Sequence, residues 1–315
     1  MLKTFFQDLT VIELASVLAG PAVGMFFAEL GAKVIKIENK KTGGDVTRKW
    51  KLPNEDSNSK YSAYYHSVNY KKETHLIDLQ NNMEKNEVLK LIKKADIVIS
   101  NYRPKSAKKM GMDYESLKAI NPKLIYAELT GFGTEERPAF DVVLQAEAGF
   151  LFMTGEPNRE PVKMPVALID LMAAHQLKEG ILIALIHRMK TGEGSKISTS
   201  LLESAVASLA NQANNWLMAN HIPQRMGCMH PNIAPYGDIF YSKDDKPIVL
   251  AVGTERQFQN LCEVLNLKEL VEDNRLKINA LRVKNRSELK ALLTPEFRKH
   301  DREPLLKIFH EKSIP

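Results

Sequence analysis

The sequence predicts an α/β protein: a large, Rossmann-like domain built on a doubly wound parallel sheet, followed by a smaller α+β domain. Three observations carry that expectation. Short buried-strand patterns alternate with helical patterns up to about residue 130, the signature of βαβ units. The first unit, Thr10 to Glu38, joins strand to helix to strand through very short connections. Composition then shifts in a stretch rich in Pro, Gly and Asn, beyond which the pattern becomes strand, turn, strand and helices. The expected boundaries are a large domain over 1–220, a connecting loop over 221–236 and a small domain over 237–315.

Taken in order, Thr10–Leu14 reads as a buried strand, Ala19-Gly20-Pro21 as the turn into a helix ending near Leu30, and Ala32–Ile37 as a second strand closed by Glu38. Residues 39–60 are polar and turn-rich and read as a surface loop. His75–Leu79, Asp96–Ser100, Lys123–Leu129 and Lys196–Ser200 are further strands, and Met83–Lys94 is an amphipathic helix. Lys105–Met110 is a basic turn or short helix, and Asp113 caps a helix over Tyr114–Ile120. A long helix fills 171–190 and a second one Leu202–Asn220. Beyond 237, a strand, a turn at Ser242–Lys246 and the strand Ile248–Val252 precede helices.

The acidic end of the second strand invites a dinucleotide site, but Gly20, Gly24 and Gly31 do not fit G-x-G-x-x-G. The net charge of +6, from 44 Lys and Arg against 38 Asp and Glu, suits an anionic ligand. These basic residues are scattered, with no dense tract of the kind that grips nucleic acid. Cys228 and Cys262, the only cysteines, show no metal-ligand spacing and fit a reducing cytoplasm. No apolar run reaches the roughly 20 residues that cross a bilayer. The expectation is a cytoplasmic protein with no metal, no nucleic acid and no membrane partner.

The chemistry centres on 162–201. Pro165–Ile169 is a short apolar run, Asp170 follows, and Leu177, Ile181, Ala184 and Leu185 then mark one buried helix face. Basic residues in the last turn and Gly192 just beyond it mark the helix end. Asp170 thus stands where an extended segment becomes a helix. Spacing alone favours an N-cap; a nucleophilic carboxylate is the sharper alternative and needs support elsewhere.

That support is a resemblance. The chain carries, in order, Leu18-Ala19-Gly20-Pro21, Gly31 to Glu38, Asp96-Ile97-Val98 with Asn101-Tyr102-Arg103-Pro104, Gly131-Phe132-Gly133, Arg137-Pro138-Ala139-Phe140-Asp141, Asp170 with Lys190 to Gly194, and His230 to Gly237. Together these resemble the family III CoA-transferases (the CaiB/BaiF group), which include formyl-CoA:oxalate and carnitine CoA-transferases and alpha-methylacyl-CoA racemase. The resemblance implies an interlocked homodimer that uses acyl-CoA and a small carboxylic acid as substrates, with no bound prosthetic group.

It also implies that Asp170 attacks the acyl thioester as a covalent nucleophile. The coenzyme A site would take Ser16, Val17, Leu18 and Ala19, then Asn39, Asn101, Tyr102 and Arg103, then Lys108, Lys109 and Met110, with Arg103, Lys108 and Lys109 toward phosphate. Phe140, Asp141 and His230 would belong to the substrate pocket, His230 on a loop of the small domain. Asn39 stands where several relatives have Arg. Phe140 occupies the slot that holds a His in the family's racemases, and Phe transfers no proton; that ranks a 2-methylacyl-CoA racemase second. Glu147 and Arg225 have open roles. The segment between Gly133 and Arg137 is shorter than in many relatives, and relatives run on beyond the position of Pro315. A truncated, non-catalytic CoA-binding chain is therefore the third alternative.

Overall fold

The computed structural model describes residues 2–315. Their six-stranded sheet is formed by β1 (Thr10–Leu14), β2 (Lys33–Asn39), β3 (Glu73–Ile77), β4 (Ile97–Ser100), β5 (Ile125–Thr130) and β6 (Ser195–Ser200). The spatial order is β3-β2-β1-β4-β5-β6, every pairing is parallel, and the order reverses between β1 and β4. This is a doubly wound sheet, whose ligand sites lie beyond the carboxyl ends of the strands.

The helices up to residue 219 are, in chain order, α1 (Ala19–Glu29), α2 (Ala63–His66), α3 (Asn82–Ile92), α4 (Pro104–Met110), α5 (Tyr114–Lys118), α6 (Asp141–Glu147), α7 (Phe150–Met153), α8 (Leu168–Thr191), α9 (Leu201–Ala207) and α10 (Asn211–Ala219), of which α7 and α10 fall mostly in the second of the two units described below. Two core clusters follow from the period of two along each strand. Val11, Val34, Ile97, Ile99 and Ala127 pack with Val23 and Phe27 of α1 and Leu177 and Ile181 of α8. Ile12, Ile35, Val98 and Tyr126 pack with Val88 and Ile92 of α3. Glu13 and Lys36 are register partners on β1 and β2, alternating with Val11 and Val34, and both are fully buried.

The chain divides into two compact units. The first runs to Phe150 and resumes over Lys163–Ala213; the second comprises Leu151–Val162 and Asn214–Pro315. The second unit holds an antiparallel pair, β7 (Tyr236–Tyr241) and β8 (Pro247–Ala251), and the helices α11 (Glu255–Val264), α12 (Asn279–Lys284), α13 (Arg286–Phe297) and α14 (Arg302–Glu311). Its own core gathers Phe240, Leu250, Phe258, Leu261, Phe297 and Phe309. Arg282 is buried there because its guanidinium donates to the Ala234 and Leu276 carbonyls at 3.0 Å each and to Glu255 at 2.8 Å, over the Phe258 ring.

Several sequence expectations change. The third strand lies two residues earlier than His75–Leu79. The single helix expected over Leu202–Asn220 is two, α9 and α10, interrupted where Ala210 adopts φ 49°; no Gly or Pro marks that break. Residues 39–60 contain two 3-10 turns, and Asp45 and Thr47 among them are buried. The long helix begins at Leu168, so Asp170 is its third residue and Ala167 is the N-cap. Among the described residues no helix is long and apolar enough to cross a membrane.

Candidate active site

Asp170 caps nothing; the N-cap reading of its side chain is overturned. Asp141, at the start of α6, does that work from outside the helix. Its Oδ2 accepts the N–H of Ile169 at 2.7 Å and of Asp170 at 3.3 Å, satisfying donors that the first turn leaves unpaired. Gln145, one turn further along α6, is fully buried; its amide donates to Asp141 Oδ1 and accepts the Met164 N–H at 2.9 Å. Asp141 therefore sets where α8 starts and which way Asp170 leaves it.

With its cap supplied by another residue, the Asp170 side chain is left for other use. It is 8% exposed and lines a cavity of about 260 Å³. Its carboxylate accepts no hydrogen bond among the described residues. Burial pushes its pKa up to about 7, and the Asp141 charge adds to that shift. Asp141→Asn, which keeps an acceptor for the Ile169 N–H but removes the charge, is expected to lower the Asp170 midpoint. It will stay above the ordinary carboxylate range, because burial is the larger cause. A carboxyl NMR titration of Asp170 measures this.

Ser16, Val17, Leu18, Ala19, Asn101, Arg103 and Phe140 line the same cavity. Phe140 is 55% exposed: it is a wall of the cavity and not packing of the core. Gly131 lets the chain close against Ala139, the neighbour of Phe140 in the same lining, since a Cβ there would fall on the Ala139 side chain. Ser16 is shared with a second cavity of about 420 Å³ over the ends of β1 and β2, which adds Asn39 and Tyr102. Asn39 and Tyr102 are shared in turn with a third, of about 280 Å³, that reaches Met110. The three follow the carboxyl edge of the sheet from Met110 to Asp170, as an elongated ligand requires.

The expected binding residues fare unequally. Ser16, Val17, Leu18, Ala19, Asn39, Asn101, Tyr102, Arg103 and Met110 meet along this edge. Lys108 and Lys109 are exposed on α4 and line none of the described cavities. Asn101 uses its amide on the chain itself, accepting from Ser16 N–H at 3.1 Å and donating to Ser16 O at 2.9 Å. Glu147 grips Arg137 with two hydrogen bonds of 2.6 Å.

In the second unit, His230 Nδ1 accepts the Asn232 N–H at 3.1 Å, so the neutral ring carries its proton on Nε2; burial and Arg286 hold its pKa below the usual histidine value. Arg225 donates to the Phe152 carbonyl at 2.9 Å and lies over the Phe152 ring, a structural use.

Sequence reasoning missed Tyr64. Burial, then the charges of Asp170, Asp141 and Asp45, raise its phenol pKa, which puts it within electrostatic reach of the buried carboxylate. Trp50 packs edge-on against it at 5.1 Å. Both lie in or near the stretch taken as loop, where no periodic signal exists to find them.

A sequence model of CoA-transferase family III matches residues 6–315. The chain belongs to CoA-transferase family III. It is an enzyme, and CoA-transferases act on CoA thioesters. The chain is 38% identical to a succinate–glutarate CoA-transferase of Agrobacterium fabrum over 99% of its own length and 79% of that protein's. A human succinyl-CoA:glutarate CoA-transferase is 34% identical, over 98% of this chain and 70% of the human one. The crystal structure of a CAIB/BAIF family protein from Brucella suis superposes with a TM-score of 0.82 at 39% identity, covering 98% of this chain and 82% of that one. Within the transferase fold, the cavity that holds Asp170 lies at the carboxyl edge of the sheet, where the topology places ligands.

Proposed function

We propose that this CoA-transferase moves CoA between two carboxylic acids through covalent intermediates on Asp170. The observation that carries this is a carboxylate nine-tenths buried, free of hydrogen bonds and facing a cavity. Stripped of water and of donors, such an oxygen is a far better nucleophile than an exposed one. An Asp170 oxygen attacks the acyl-CoA carbonyl, the C–S bond breaks and CoA leaves as thiolate, giving a mixed anhydride. The thiolate then attacks the Asp170 carbonyl carbon and releases the first acid as carboxylate. The second acid attacks the resulting aspartyl thioester and expels the thiolate, which returns to that acid's carbonyl and frees Asp170. One thioester is exchanged for another, so no external energy source is needed.

On this reading the CoA nucleotide lies toward Tyr102 and Met110, pantetheine crosses Ser16 to Ala19, and Arg103, which lines the Asp170 cavity, faces the acid and not the phosphates expected for it from the sequence. The names of the relatives, succinate and glutarate transferases, support short dicarboxylic acids as the pair exchanged. The same reading takes the chain as a cytoplasmic homodimer; the elution volume on size exclusion tests the dimer.

The deciding experiment is the intact mass of the chain after incubation with succinyl-, glutaryl- and other acyl-CoAs, then with hydroxylamine. A hydroxylamine-sensitive adduct on the parent, absent from Asp170→Ala, is expected. No adduct with any donor while CoA still binds overturns the proposal. A racemase would instead exchange the α-proton of a 2-methylacyl-CoA with solvent deuterium. Phe140, in the slot where that chemistry needs a titratable partner, makes no exchange the expected result.

A further inference from the structure

In the segment Ala15–Leu18, between β1 and α1, Ser16, Val17 and Leu18 form one wall of the Asp170 cavity, and its conformation is not one it would choose. Val17 has φ 74°, a left-handed backbone that glycine adopts freely and a β-branched residue strongly resists. Something must hold it. Three successive residues are gripped by side chains from elsewhere. The Ala15 carbonyl accepts from Lys36 Nζ at 2.7 Å. Ser16 exchanges both of its backbone bonds with the Asn101 amide. The Val17 N–H, the strained one, donates to the Asp45 carboxylate, 3.1 Å from Oδ2 and 3.4 Å from Oδ1.

Asp45 is itself fixed on every side. Its Oδ1 accepts from the Thr47 N–H at 3.0 Å and the Thr47 hydroxyl at 2.8 Å. Its Oδ2 lies 3.2 Å from Lys36 Nζ, with both side chains fully buried. Its own N–H donates to Glu38 Oε2 at 2.7 Å, and Glu38 is locked in turn by Arg48 and Tyr65.

We infer that Asp45 is a positioning residue for transfer: it holds Val17 in the left-handed conformation that shapes the wall of the Asp170 cavity. It borders the neighbouring cavity of about 420 Å³ and acts on transfer through the Val17 N–H. The inference rests on the covalent transferase reading above.

The test is a cycle of Asp45→Asn and Val17→Gly, read as the single-turnover rate of adduct formation on Asp170, with free-CoA affinity and melting temperature measured beside it. In the parent background Asp45→Asn is expected to slow adduct formation by roughly 10–100-fold, the scale of a wall displaced by about 1 Å, with CoA affinity changed far less. In the Val17→Gly background the left-handed turn no longer needs holding, so the same substitution should slow the reaction by less than about 3-fold. Equal factors in both backgrounds, or an unchanged rate, overturn the inference; lost stability alone would act alike in both. An adduct that ignores Asp45 sinks this inference and leaves the transferase reading standing. If the parent forms no adduct, the inference falls with the transferase reading; if Asp45→Asn does not fold, hydrogen exchange at the Val17 amide of the parent decides. Protection supports the grip, and exchange at the rate of an open loop overturns it.

Discussion

Asp170→Asn is expected to lose on the order of 1,000-fold or more in turnover, the scale on which removing a covalent nucleophile acts, while becoming more stable than the parent. The two effects share a cause. The folded site lifts the Asp170 pKa from 3.8 to about 7. Between those values the folded chain keeps a proton that the unfolded chain has released, so rising pH favours unfolding across that window. The shift of about three pH units corresponds to up to ~4 kcal/mol of stability, present below pH 3.8 and lost as pH rises through about 7. An amide of the same shape never ionises. Its advantage over the parent should be near zero at pH 4, grow toward pH 7 and level off above it. Chemical denaturation at several pH values checks this, beside activity with a succinyl-CoA donor. A variant less stable than the parent at pH 8 would mean that the ionised Asp170 is well solvated in the fold, and would remove the basis for its nucleophilicity.

Much of this architecture is legible without coordinates. β1 falls on the residues its apolar run marks, and α8 ends at Gly192 in the left-handed conformation, as its basic last turn and glycine announce. Buried parallel strands and helix ends write themselves in composition. The site is legible only through resemblance, for a physical reason. What distinguishes Asp170 is that its cap is supplied by Asp141, 29 residues earlier, and no local pattern records a long-range hydrogen bond. From spacing alone Asp170 looked like the cap itself. The break between α9 and α10 escaped because it depends on one Ala at positive φ. The stretch 39–60 looked like solvated loop because Asp45, Thr47 and Arg48 are polar. Asp45 and Arg48 are drawn inward by Lys36 and Glu38 on β2, and Thr47 by Asp45, partners that a polar composition gives no reason to expect.

Lys36→Met should be among the most damaging single changes in the first unit, at about 3–5 kcal/mol, the cost of removing one partner from a buried ionic cluster. Lys36 joins Glu13 at 2.8 Å and Asp45 at 3.2 Å, while Lys72 meets Glu13 on its other side at 2.8 Å; all of these side chains are fully buried. α1 packs so closely over this pair that a Cβ at Gly24 would coincide with the Glu13 carboxylate. Water therefore cannot replace a missing charge. Without Lys36, the Asp45 and Glu13 carboxylates lose the ammonium that lies between them. Glu13→Gln should be milder, because the residue it strands has an exit. Lys72 is already held down to about 8 by burial, and it can give up its proton. Glu13 raises the Lys72 pKa, so without it Lys72 gives up its proton at a lower pH than in the parent, and the Glu13→Gln deficit should shrink as pH rises toward 8 and level off above it, where the parent's Lys72 is neutral too. The Lys36→Met deficit should persist there. Hydrogen exchange in β1 and β2, compared at pH 7 and 9, separates the two. If Glu13→Gln costs as much as Lys36→Met at pH 9, the cluster acts by packing and not by charge.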